Sequence, residues 1–265
     1  MANYKVLFLD IDGTILRADH TIEDSTKIAI KAAKANNIEV FLATGRPIHE
    51  IKEIGKELDV HSYIGYNGAY AIYQDDIIVN EPMSSSIIEH YLDVARTHHH
   101  DMILYTNKLN LLTSTEGDII EHFLDYFDIH QAQIYEEKYK QDILGITIMN
   151  VKPNEPVLYD LEEEDIYFSQ VNVDGLRHSY DVIRENVNKG SAIKQVLERL
   201  NIAKEDAIAF GDGMNDKQML SYVGHGFAMG NANPELFPYA KYKTTSVDNA
   251  GIYNGLKQLG IVKED

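Results

Sequence analysis

Two short, wholly apolar runs near opposite ends of the chain, VLFL at residues 6–9 and AIAF at 207–210, each discharge into a loop of aspartate and glycine: DIDGT at 10–14 and GDGMND at 211–216. A four-residue run with no polar alternation suits a strand buried on both faces. Helical periodicity accompanies these runs. Ile28, Ala32 and Ala35 recur within residues 26–36, with Asn36-Asn37 as an end signal. Ile48, Ile51, Ile54 and Leu58 follow a second strand at 39–43, and Ile193, Val196, Leu197 and Leu200 precede the late one. Apolar strands joined by crossover helices predict an α/β fold, a Rossmann-like, doubly wound parallel sheet built from both ends of the chain.

Between the ends the grammar changes. Residues 83–184 read as a helix (Ile87, Ile88, Tyr91, Leu92, Ala95), short strands at 102–105 and 109–113, and a second helix at 119–127. A strand at 143–149, a third helix ending in Glu162-Glu163-Glu164 and two alternating stretches at 166–171 and 176–182 complete an α+β insert. The expected organisation is a core from residues 1–82 and 185–265, with a cap domain at 83–184 and hinges near Pro82 and at 184–188. Inserts of this kind commonly supply the walls of a site.

Composition narrows the function. A chain of 265 residues with 44% hydrophobic residues can build a substantial core, and the absence of cysteine removes disulfides and thiolate metal sites. With no signal peptide expected and no run approaching the roughly 18–20 apolar residues of a membrane span, the expected location is cytoplasmic. The formal charge of −18 opposes both nucleic acid and anionic membranes as partners. Nothing in the pattern speaks to oligomeric state.

Four loops can share the crevice beyond the carboxyl ends of the parallel strands: DIDGT at Asp10, Thr44-Gly45-Arg46, Asn188-Lys189-Gly190-Ser191, and the Asp212 loop. Asp10, Asp12, Asp212 and Asp216 would crowd acids into one pocket, and a divalent cation is the natural neutraliser. An all-oxygen set without His or Cys suits Mg²⁺. Thr44, Lys189 and the close backbone approach allowed by Gly13, Gly45 and Gly213 are what a phosphoryl group needs.

On these motifs, DIDGT, Thr44 within ATGR, Lys189 within NKG and GDGMND, together with AMGNA at 228–232, the sequence resembles the haloacid dehalogenase-like phosphatases, in the Cof-like branch that carries a large α+β cap. The resemblance implies that Asp10 is a nucleophile forming an aspartyl-phosphate. Asp12 would be the acid and base, and its backbone carbonyl would bind the metal. Thr44, Gly45, Lys189 and Asn215 would bind phosphate, and Asp10, Asp12 and Asp212 would hold Mg²⁺. Asn215 and Asp216 stay unranked between metal, phosphate and a supporting role. Asp12 matches the phosphatases and phosphomutases rather than the dehalogenases of that superfamily. Ala250-Gly251 departs from relatives that tend to carry an acid before the glycine.

The expected activity is therefore Mg²⁺-dependent hydrolysis of small phosphate esters such as sugar phosphates, nucleotides or phosphorylated cofactors, under a cap that closes over the substrate. A phosphomutase is the near alternative, and a phospho-accepting signalling module the distant one, disfavoured because its accepting Asp would follow a middle strand. His98-His99-His100 reads as a solvated helix end or turn rather than a metal tract, and Glu162-Glu163-Glu164-Asp165 as a solvated helix end. Met214 and Met219 read as core.

Overall fold

The computed structural model describes residues 4–127, 129, 131–161, 165–171 and 173–263. In chain order its strands are β1 (Val6–Leu9), β2 (Glu39–Ala43), β3 (Ser62–Gly65), β4 (Tyr70–Tyr73), β5 (Asp76–Asn80), β6 (Asp101–Tyr105) and β7 (Asn110–Leu112), then β8 (Ala132–Ile134), β9 (Gly145–Met149), β10 (Ile166–Gln170), β11 (Tyr180–Arg184), β12 (Ala207–Gly211), β13 (His225–Ala228) and β14 (Tyr242–Lys243). The helices are α1 (Asp24–Ala35), α2 (Lys52–Leu58), α3 (Ser85–His98), α4 (Asp118–Tyr126), α5 (Lys189–Leu200), α6 (Lys217–Tyr222) and α7 (Gly251–Gln258). Two compact units emerge. One holds the chain up to Arg46, Ile51–Asn80 and the chain from Asn188 onward; the other holds Pro47–Glu50 and Glu81–Val187.

The first unit is built on a sheet of order β14-β13-β12-β1-β2-β3-β4-β5. From β14 to β3 every pairing is parallel, with β1 flanked by β12 and β2. Because β1 has parallel neighbours and a packed layer on each face, all four of its side chains are fully buried. Helices α5 and α6 bury Ala192, Ile193, Val196, Met219 and Leu220 against Phe8, Phe41 and Ile64. Helix α1 pairs with α7.

Three sequence expectations need correction here. In α1 the buried residues are Thr26, Ala29, Ile30 and Ala33, whereas Ile28 is 55% exposed. Ala29, Ile30 and Ala33 set the inward stripe, so a periodicity started from Ile28 is out of phase with it. The single helix expected from Ile48 to Leu58 is broken into a 3-10 turn, Ile48–Glu50, followed by α2. Strands β4 and β5 extend the sheet antiparallel beyond β3, an edge the early βαβα pattern did not anticipate.

The second unit carries the six-stranded sheet β10-β11-β9-β6-β7-β8, antiparallel except where β7 meets β8. One face packs Met102, Leu104, Ile146 and Ile148 beneath α3 and Tyr159. The other packs Ile103, Leu112 and Met149 beneath Ile120 and Phe123 of α4. Within this unit His49 Nε2 meets Asn110 Oδ1 at 3.1 Å, and Asn110 Nδ2 donates to Glu50 Oε1 at 2.9 Å.

In place of the expected third cap helix, after β9, the described residues form a short 3-10 turn, Pro156–Tyr159. Pro153 and Pro156 lie close together and each lacks an amide donor, which leaves no room for regular α-helix. The acidic run Glu162-Glu163-Glu164 lies outside the described residues. The histidine tract is only in part a solvated end: His99 is the left-handed cap of α3, but His100 is buried and bonded to Tyr159 and Glu155. Met219 is core, and Met214, partly buried, packs against the same core cluster.

Candidate active site

The loops of the site follow from how the central strands end. Asp10 N–H donates to the Phe210 carbonyl at 3.0 Å, the last rung between β1 and β12, and the chain then coils so that Ile15 and Leu16 both donate to the Ile11 carbonyl. Gly13 makes this possible. Its φ is +81°, and a Cβ there would lie 2.3 Å from Asp212 Oδ2.

Lys189 opens α5. Asn188 caps that helix by accepting from Ser191 N–H at 2.9 Å, while Ser191 Oγ accepts from Asn188 N–H at 3.0 Å. The cap fixes the helix start, and the Lys189 side chain runs into the interior with no solvent exposure. Its Nζ donates to Asp10 Oδ1 at 2.6 Å and to Asp216 Oδ1 at 2.7 Å. Asp216, equally buried, accepts the Asp212 and Gly213 N–H groups on Oδ2 at 3.0 and 3.1 Å. One ammonium thus faces two carboxylates, and a loop is folded around the second.

Asp212 stands beside this pair. Thr14 Oγ1 donates to its Oδ1 and Asn231 Nδ2 to its Oδ2, each at 3.3 Å. Oxygen atoms of Asp10, Asp212 and Asp216 lie within 4.8 Å of one another. Thr44 is buried beyond β2, its N–H donating to the Ile64 carbonyl at 2.8 Å and its Oγ1 accepting from Arg46 N–H at 3.1 Å. Asp12 points elsewhere: Arg46 grips it bidentately, Nε to Oδ2 at 2.8 Å and Nη2 to Oδ1 at 2.5 Å, and the carboxylate is half exposed.

The electrostatics follow from crowding in a dry place. Burial, then the neighbouring Asp216 charge, pushes the Asp10 carboxyl well above its ordinary range. The same two causes lift Asp212 to about 6. Burial alone would depress Lys189, but the charges of Asp10 and Asp216 outweigh it and hold its ammonium charged. Three acids around one base leave a deficit of positive charge, and the donor set is oxygen only. That combination fits a hard divalent cation.

The profile of the haloacid dehalogenase-like hydrolases matches residues 7–256 of this chain. The chain is a member of that family. It is 33% identical over 262 residues to the putative phosphatase YkrA of Bacillus subtilis strain 168, covering 98% of this chain and 99% of that protein. It is 24% identical over 275 residues, 96% of each chain, to the 5-amino-6-(5-phospho-D-ribitylamino)uracil phosphatase YitU of the same organism. A solved structure of a hypothetical protein from Geobacillus kaustophilus HTA426 superposes with a TM-score of 0.88 at 28% identity, covering 98% of this chain and all of that one.

In this hydrolase Asp10, Lys189, Asp212 and Asp216 come together as one cluster. Thr44 and Gly45 lie at the end of the adjacent strand, and Asn215, exposed, reaches Asn67 rather than the acids. Read in isolation, Lys189 would pass for a surface lysine; the structure buries it completely. Four groups escaped the sequence reading as individual participants: Thr14 and Asn231 on Asp212, Arg46 on Asp12, and Asn67 on Asn215. Three sit inside motifs already quoted, DIDGT, ATGR and AMGNA, so position supplied a signal although partnership did not. Asn67 lies outside all of them.

Proposed function

We propose that this protein is a phosphoric monoester hydrolase that uses Asp10 as a nucleophile on small phosphorylated metabolites. The reading rests chiefly on a buried lysine bonded to two carboxylates, with a third carboxylate alongside. A buried cation of this kind is costly unless its surroundings use it, and here it would keep Asp10 ionised and meet the charge of an incoming phosphoryl group.

In the first half-reaction an Asp10 oxygen bonds to phosphorus while the bond from phosphorus to the ester oxygen breaks, and Asp12 gives its proton to that oxygen. In the second, Asp12 takes a proton from water, the water oxygen bonds to phosphorus, and the Asp10–phosphorus bond breaks to regenerate the carboxylate and release phosphate. Covalent catalysis thereby divides one displacement into two easier ones. Thr44, the Gly45 backbone and Lys189 hold phosphoryl oxygens throughout. Asp12 must exchange Arg46 for the ester oxygen to do its part, and its exposure leaves it free to move.

The metal we infer is Mg²⁺, which supplies positive charge against the phosphate. Asp10, Asp212 and the Asp12 carbonyl would hold it. Asp216 is a poorer ligand candidate than Asp212 because it is wholly buried and its oxygens accept from Lys189 at 2.7 Å and from two backbone N–H groups at 3.0 and 3.1 Å, against 3.3 Å for both bonds on Asp212, so its role is to hold Lys189 and the Asp212 loop. A relative named for a phosphorylated ribitylamino-uracil supports the small-metabolite class.

The test is release of inorganic phosphate from p-nitrophenyl phosphate and from a panel of phosphorylated metabolites, with Mg²⁺ and with chelator. Magnesium-dependent turnover to free phosphate is expected. An isomerised sugar phosphate as product, or a phosphoprotein that never turns over, contradicts it.

A further inference from the structure

The turn between β3 and β4 is where the backbone of the first unit is most contorted. Tyr66, Asn67 and Gly68 lie consecutively in the left-handed half of backbone space, with φ of +53°, +53° and +105°. Asparagine tolerates that region; a tyrosine there is an outlier. Strain of this sort persists only where the surroundings over-determine it, and it gathers at functional sites.

The surroundings here are the phosphate loops themselves. Tyr66 N–H donates to the Arg46 carbonyl at 3.2 Å and Asn67 N–H to the Thr44 carbonyl at 3.1 Å. A Cβ on Gly68 would lie 2.2 Å from the Asn188 carbonyl oxygen, so the turn is also pressed against the residue before Lys189. Asn215, on the Asp212 loop, donates from Nδ2 to Asn67 Oδ1 at 3.1 Å. A single turn that none of the recognised motifs contains therefore touches three of the four loops.

The Asn67 amide also lies flat against Gly45: a Cβ built there would come 3.1 Å from Asn67 Oδ1 and 3.2 Å from its Nδ2. Its Oδ1 is engaged by Asn215, and among the described residues no bond is recorded to its Nδ2. An amide donor is thus held beside the backbone proposed to receive phosphate, with its direction fixed by Asn215 and its main chain fixed by Thr44.

We propose that Tyr66–Gly68 is a fifth loop of the phosphoryl site, in which Asn67 donates from Nδ2 to an oxygen of the substrate phosphate and orients Asn215. This rests on the phosphatase reading above. Hydrogen bonds to charged groups are worth enough that loss of this donor should weaken phosphate binding about 10- to 100-fold.

The experiment is equilibrium binding of inorganic phosphate, in magnesium, to the wild type, Asn67→Gly, Asn67→Asp and Thr44→Ala, with the melting temperature of each. Asn67→Gly removes the amide while relaxing the backbone, so it should fold at least as well as wild type yet lose about tenfold or more in phosphate affinity. Asn67→Asp keeps the acceptor for Asn215 but sets a carboxylate against phosphate, and should lose more. A loss smaller than threefold in Asn67→Gly overturns the inference, because a purely architectural Asn67 would alter melting and leave phosphate affinity alone. Should wild-type protein neither bind phosphate nor turn over a phosphate ester, the phosphatase reading is what fails. If wild type binds, Thr44→Ala does not and Asn67→Gly does, only the role given to Asn67 fails.

Discussion

The two units bury polar groups for opposite reasons. In the first, the buried set is charged: Asp10, Lys189 and Asp216 sit together in the interior with one cation for two anions. In the second, the buried polar residues are His100, Thr106, Asn110, Thr147 and Ser179, with no carboxylate or ammonium among them. Thr147 donates to Asp181 at 2.6 Å and meets Tyr105 at 3.0 Å, Asn110 is held by His49 and Glu50, and His100 joins Tyr159 at 2.8 Å. Burial pushes the His100 pKa down, which favours its neutral form. Polar groups that satisfy one another stabilise a fold; charges left short of a partner prepare a site for a ligand.

The comparison breaks most sharply at Asp10. Asp10→Asn should lower kcat by at least about 10³-fold, about 4 kcal/mol in barrier, with the fold intact by circular dichroism. Retained activity would make the cluster structural, like its counterparts in the second unit.

Next comes Lys189. Lys189→Met leaves Asp10 and Asp216 buried without a cation, a change that costs about 3–5 kcal/mol in urea unfolding. Adding Asp216→Asn should restore much of the stability and none of the turnover. If the double variant regains activity, the lysine serves the fold alone.

Proton competition is smaller. In metal-free protein the Asp212 carboxyl, raised to about 6 by burial and the Asp216 charge, holds a proton that the unfolded chain has shed. Its contribution to stability is fully present below the ordinary carboxylate value of 3.8 and is lost as pH rises through about 6. Magnesium must displace the same proton, so its affinity, read by calorimetry, should fall about tenfold between pH 7.5 and pH 5. An affinity indifferent to pH would place the cation elsewhere.

The smallest expected effect is in the second unit. Tyr159→Phe removes the hydroxyl bonded to His100 and should cost about 1 kcal/mol of stability while leaving kcat on p-nitrophenyl phosphate unchanged.

The same contrast explains what the sequence could reveal. Strands β1 and β12 were legible because they are buried on both faces and so contain no polar alternation, and their aspartate loops mark where they stop. Helix α1 was found but rotated, since its inward face is Ala29, Ile30 and Ala33 and a periodicity counted from Ile28 misses it. The third cap helix failed because prolines impose 3-10 turns on a stretch whose acidic end resembles a helix terminus. At the site, motif residues were readable as types in order. Their pairings were not: Lys189 between Asp10 and Asp216, Arg46 on Asp12, and the left-handed turn at Asn67 depend on loops distant in sequence folding against each other.

The central claim is that a phosphoryl group is carried by Asp10 itself. Rapid acid quench of the enzyme during turnover, followed by borohydride reduction and peptide mass spectrometry, would convert an acyl phosphate at that carboxyl to the corresponding alcohol. The account predicts this change at Asp10, dependent on substrate and absent in Asp10→Asn. Turnover with no reducible adduct at Asp10, or an adduct on another residue, would contradict it.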